Sequence, residues 1–184
     1  YDFAWKGKST QGLPRDTAES VYAKTPRQGF ADHAPGEYQA TVEVARAAAR
    51  LRDEGCLVVG IDLAGQEKGY PAGDHKHAYQ IAHEAFLGKT VHAGEDYGPE
   101  SIFQAIGDLH ADRIGHGTWL FDETKITSPR IPDRKRYVED LAEFVADKRI
   151  TIEVCLTSNQ QTVPELADDL RKHPFGEMRR RRLS

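Results

Sequence analysis

Two short segments carry the residues best suited to chemistry: His92-Ala93-Gly94-Glu95 and Arg113-Ile114-Gly115-His116-Gly117. Each closes an apolar run with a histidine beside a glycine that lets the chain turn sharply. Imidazole, carboxyl group and second imidazole make a set suited to metal-assisted hydrolysis. One ring can bind zinc, which lowers the pKa of water; the carboxyl group can shuttle protons, and the other ring can orient the attacking oxygen. An isolated His-x-x-Glu is most often a turn with a packed histidine, so the weight rests on both histidines ending strands.

The elements that must hold these residues alternate between helix and strand from Glu37 onward. Ala40, Val44, Ala47, Ala48 and Leu51 follow helical spacing, with Gly55 where a C-cap belongs. Cys56 to Leu63 reads as a strand buried on both faces. Asp74 is placed to N-cap a helix carrying Ala78, Ile81, Ala82, Ala85 and Phe86, closed by Gly88, and Thr90 to His92 is the next strand. Pro99 opens a helix with Ile102, Ala105, Ile106 and Leu109, followed by a strand over Arg113 to His116. A helix over Asp133 to Asp147, with Val138, Leu141, Ala142 and Val145 inward, leads into a strand from Ile150 to Leu156. A short helix around Leu166 and Leu170 stops before Pro174.

Four strand-helix repeats imply parallel strands whose carboxyl ends share one face. Asp62 and Gly65, His92 and Glu95, His116, and Ser158 with Asn159 all fall at such ends, where α/β proteins build their sites. An eight-unit β/α barrel takes roughly 250 residues, so 184 residues allow about half of one. The expected organisation is a loop-rich segment over 1–36 and a partial TIM-type (β/α)8 barrel over 37–184, about four βα units.

Composition excludes several alternatives. The chain is 39% hydrophobic and 29% charged with a net charge of -4, which fits a globular protein with no electrostatic case for nucleic acid. No apolar run approaches the ~20 residues of a membrane span, so the cytoplasm is the default location. Cys56 and Cys155 sit in apolar runs and read as reduced core thiols. The chain opens at Tyr1 and its only methionine is Met178, which reads as a piece of a longer protein. His75-Lys76-His77 has a His-x-His spelling, but at a helix start residues two apart diverge. Asp62 is as readily a structural acceptor as a support to the site. His83 and His110 read as surface or packing residues, and Arg179 to Arg182 as the solvated end of a helix. There is no His-Glu-x-x-His and no Pro-Cys-x-x-Cys.

Val58-Val59-Gly60-Ile61-Asp62-Leu63-Ala64-Gly65, Thr90 to Glu95, Arg113 to Gly117 and Glu153-Val154-Cys155-Leu156-Thr157-Ser158-Asn159 stand in one order along the chain. Together they resemble four motifs of the adenosine deaminase family of zinc hydrolases. The resemblance implies the metal-dependent hydrolase type of barrel, here its fourth to seventh strands. It implies zinc as cofactor, with His92 a ligand. Glu95 would protonate purine N1, and His116 would orient and deprotonate the zinc-bound water that attacks C6. Gly65 would offer its backbone N–H to the purine, while Ser158 and Asn159 shape their loop with no chemical step. To serve as an acid, Glu95 must hold a proton at neutral pH.

The family's His-x-His strand and final aspartate, the other zinc ligands, have no counterpart here. The expected activity is deamination of adenosine or a closely related aminopurine to inosine and ammonia, with a small purine nucleoside as the partner. The rivals are an adenine or modified-adenosine deaminase of the same superfamily, and an inactive barrel fragment acting as a binding or scaffold module.

Overall fold

The structure, a computed structural model, describes residues 39–183; the loop-rich reading of 1–36 lies outside them. The chain divides into two compact units, one of the residues up to Asp62 with Gly73–Lys89, the other of Leu63–Ala72 with Thr90 onward.

In the first unit, helix α1 (Gln39–Asp53) packs on α2 (Lys76–Glu84). Val42, Ala45 and Ala48 are the buried side of α1, and they meet Ala78, Ala82 and Leu87. The expected stripe through Ala40, Val44, Ala47 and Leu51 is only half-buried, because the small residues at i, i+3 and i+6 let the two helices approach. Gly55 closes α1 at a φ of +85°, with the Cys56 N–H donating to the Leu51 carbonyl at 2.9 Å, as its position suggested.

Strand β1 is shorter than expected, Gly60–Leu63. Leu57 and Val59 are each 69% exposed, so the apolar run ahead of the strand is not a two-faced core segment. Asp74 lies in a 3₁₀ turn (Ala72–His75) and does not cap α2; His75 holds that position without a side-chain cap bond. Phe86 also departs from the expected stripe. The helix ends one turn early, Phe86 takes a φ of +55° and is 84% exposed, and Tyr79 is buried instead. Gly88 begins strand β2 (Gly88–Ala93) rather than ending the helix, and its N–H donates to Val59 O at 2.8 Å.

In the second unit, β2 pairs in parallel with β3 (Arg113–His116), placing His92 beside Gly115 and Ala93 beside His116. Strand β3 pairs in parallel with β4 (Thr151–Glu153). Helix α3 (Pro99–Leu109) begins at Pro99 and buries Ile102, Ala105, Ile106 and Leu109. Helix α4 (Arg134–Asp147) is capped by Asp133, whose side chain accepts from Arg136 N–H at 2.9 Å, and buries Val138, Leu141, Ala142 and Val145.

The end of β4 differs from its expected course. The strand stops at Glu153, and helix α5 (Leu156–Thr162) starts where extended chain was expected. The Asn159 N–H donates to the Cys155 carbonyl at 2.8 Å, closing a helical turn directly after the strand. Leu166 and Leu170 lie in 3₁₀ turns, and α6 (Phe175–Arg180) follows Pro174 rather than stopping before it. Proline suits a helix start, where a missing N–H costs nothing. Arg180 and Arg181 are engaged by Glu177, and Arg181 also pairs with Glu139, which takes up charge from the terminal arginine run.

Candidate active site

The site lies wholly in the second unit, at the carboxyl ends of β2, β3 and β4. His92 lies one residue before the end of β2, in register with Gly115, and an added Cβ at Gly115 would come within 2.6 Å of the His92 ring. Glycine is required there because the imidazole lies across the neighbouring strand. The His92 ring meets His116 edge-on, centroids 4.8 Å apart at 78°.

His116 ends β3 at a φ of +70°, a left-handed backbone that residues other than glycine adopt at some cost. Gly117 follows with its N–H donating to Ala93 O at 3.0 Å, and the Trp119 N–H donates to Gly94 O at 2.9 Å. These two bonds tie the end of β3 to the end of β2 and turn the His116 side chain inward. The imidazole is buried. Its Nε2 lies 3.4 Å from Glu95 Oε2. Burial holds this ring below the ordinary histidine range, the Glu95 carboxyl group pulling the other way and His92 adding to the lowering.

Glu95 stands on a turn built around an acid that periodicity and motif spelling did not single out. Glu67, only 6% exposed, accepts backbone N–H groups from Gly94 at 2.9 Å, Glu95 at 2.9 Å, Asp96 at 2.6 Å and Tyr97 at 3.3 Å. A carboxylate that satisfies four consecutive amides dictates the path of the loop. Gly94 at a φ of +77° completes the turn, and a side chain there would strike Ile102 at 2.7 Å. The Trp119 indole N–H donates to the Glu95 carbonyl at 2.6 Å. The Thr162 hydroxyl oxygen lies 2.7 Å from Glu95 Oε1. The one sequence signal for Glu67 was its place two residues beyond Gly65, in a strand-end loop.

Asn159 is fully buried on α5, with Nδ2 3.0 Å from His116 Nδ1 and Oδ1 3.3 Å from His173 Nε2. It does more than shape its loop: it contacts the back of the His116 ring. His173, also buried, lies in an irregular stretch where no periodicity could flag it. Burial lowers its ring below the ordinary range, and nearby His116 adds to this.

Gly65 is exposed, with a φ of +121°, in the loop that carries Glu67. Asp62 is exposed in the first unit, as are His77 and His83, while His110 is exposed at the end of α3. Cys56 and Cys155 are free, half-buried thiols, and burial pushes the Cys155 thiol up. Among the described residues, no helix is long and apolar enough to cross a membrane.

A catalytic zinc takes about three protein ligands. Among the described residues no group of three or more His, Cys, Asp or Glu side chains comes together to hold a metal. His92 supplies a suitable imidazole, but these residues do not make a zinc centre by themselves.

A parallel β/α sheet with imidazole and carboxyl groups at its strand ends is the layout of a β/α-barrel segment. The adenosine deaminase family profile matches residues 29–184, and the chain belongs to that family. It is 41% identical over 140 residues to adenosine deaminase 1 of Streptomyces coelicolor, an alignment covering 76% of this chain and 33% of that protein. The chain thus spans about a third of the length of that relative. Adenine deaminase of Arthrobacter aurescens superposes with a TM-score of 0.58 at 27% identity, covering 77% of this chain and 38% of that one. An amidohydrolase of Burkholderia ambifaria with bound Zn shares the fold, with a TM-score of 0.61 at 22% identity over 78% of this chain and 35% of that one.

Proposed function

We propose that this chain forms part of a zinc-dependent deaminase that hydrolyses the 6-amino group of adenosine or a closely related aminopurine, giving inosine (or the matching hydroxypurine) and ammonia. One observation carries the reading: Glu95 and His116, from successive strand ends, face each other at 3.4 Å beside His92. Glu95 is the general acid, giving a proton to the ring nitrogen next to the reacting carbon, so that negative charge does not accumulate there. His116 orients the attacking water. Gly65 offers its backbone N–H to the purine from the loop of Glu67.

His92 would be one zinc ligand, the remaining ligands coming from parts of the whole protein beyond the described residues. Bound zinc would supply a Lewis acid that eases deprotonation of water near neutral pH. The partner is a small purine, and the location that accompanies this reading is the cytoplasm. Similarity to an adenine deaminase keeps the free base among candidate substrates.

The test is ammonia release by the complete, zinc-loaded protein from adenosine, adenine and N6-methylated adenosine. Adenosine turnover is expected, with Glu95→Gln lowering kcat by about a hundredfold to ten-thousandfold, the range of general acid catalysis, while zinc content holds. Near-normal turnover of that variant removes Glu95 from the chemistry. No turnover of any aminopurine leaves the binding-module reading.

A further inference from the structure

A line of hydrogen bonds runs behind His116, and its direction is set from the Phe175 end. The backbone N–H of Phe175 can only donate, and it reaches Nδ1 of His173 at 3.1 Å. Nδ1 therefore keeps its lone pair, and the neutral His173 ring carries its proton on Nε2. That nitrogen lies 3.3 Å from Oδ1 of Asn159, which accepts. The other end of the amide, Nδ2, has only hydrogens to offer, and it lies 3.0 Å from Nδ1 of His116. Nδ1 of His116 accepts, so its ring proton sits on Nε2, facing the Glu95 oxygen at 3.4 Å.

Turning the Asn159 amide over would set its NH₂ group against the Nε2–H of His173. Asn159 is fully buried, and His116 and His173 are 4% and 6% exposed. Solvent offers little to repair such a clash, and an unpaired buried donor costs about 1–3 kcal/mol. The Phe175 amide, which can only donate, sets this direction.

We infer that His173 and Asn159 are positioning residues that fix the tautomer of His116, holding its proton on Nε2 and aiming it into the site. The consequence rests on the proposed deaminase reading. In this form the Nε2–H of His116 points into the site as a donor that directs an oxygen lone pair.

Nitrogen NMR of the full chain labelled with ¹⁵N-histidine, recorded above neutral pH, distinguishes protonated from bare ring nitrogens. The expected result is a proton on Nε2 in both His116 and His173; a proton on Nδ1 of His116 overturns the inference. Asn159→Asp offers only acceptors and is expected to move the His116 proton to Nδ1, whereas an unchanged tautomer refutes the relay. His173→Gln keeps a donor near the Nε2 position and is expected to preserve the wild-type tautomer of His116. His173→Leu is expected to leave His116 a mixture, and a single retained Nε2–H form in that variant counts against His173. If a variant does not fold, the wild-type spectrum still decides.

In the complete enzyme Asn159→Asp is expected to lower kcat at least about tenfold with a smaller change in KM, since the lost interaction acts on the reacting geometry. An enzyme that shows the expected tautomers but deaminates no aminopurine defeats the functional reading and leaves the relay intact.

Discussion

The carboxylate of Glu67 accepts the backbone N–H of Glu95 at 2.9 Å across 28 residues of sequence. One buried acid thereby sets the loop on which the other acid stands. Glu67→Gln keeps the shape but replaces one acceptor oxygen with an NH₂ group facing backbone donors. Leaving buried amides unpaired costs about 1–3 kcal/mol. Denaturant unfolding of the variant is expected to show a loss in that range, and turnover of the complete enzyme to fall more than its substrate affinity. Unchanged stability would show that the loop does not depend on this carboxylate.

Gly115→Ala tests the packing of His92. The new Cβ would lie 2.6 Å from the imidazole, so the ring must move. Overpacking of this kind costs about 1–3 kcal/mol, measurable as a lower unfolding midpoint. Zinc affinity of the complete protein is expected to fall with it, by about tenfold or more. Wild-type values for both would place the His92 ring elsewhere.

His75 predicts how stability responds to pH. Burial lowers its pKa to about 4, with Asp74 pulling the other way, and the Thr41 hydroxyl lies 2.8 Å from its Nδ1. In the unfolded chain the ring titrates near 6.5, so between these values the unfolded state binds more protons. Stability from the neutral ring is full above pH 6.5 and is lost as the pH falls toward 4. Linkage gives a loss of about 2 kcal/mol between pH 7 and pH 5. Unfolding curves at the two values are expected to show it, and His75→Gln to flatten the dependence; an equally steep variant would assign the slope to another group.

The 184-residue chain is expected to retain well under one zinc per molecule after equilibrium dialysis, because among its described residues no set of three ligands comes together. The complete protein is expected to keep about one, and His92→Ala to reduce it. A full complement on the 184-residue chain would mean that it assembles a ligand set of its own.

Much of the second unit was legible in the sequence. The stripe Ile102, Ala105, Ile106, Leu109 and the Pro99 start described α3 correctly. Asp133 marked the start of α4, and the two histidine motifs marked strand ends. The first unit was less legible. Phe86 fits a helical stripe yet is 84% exposed, because periodicity records which residues could share a face and not where a helix stops. Asp74 looked like a cap for the same reason, while His75 took the position.

By itself, the sequence determined the alternation of helix and strand, the glycines that permit close approach, and the membership of His92, Glu95 and His116 in one strand-end set. These are local properties, carried by spacing and residue type. Only the tertiary structure decided that Glu67 holds the Glu95 loop and that Asn159 and His173 back His116. Hydrogen-bond partners 28 and 43 residues apart leave no periodic trace. Their pairing exists because burial removes water and obliges each polar group to find its counterpart.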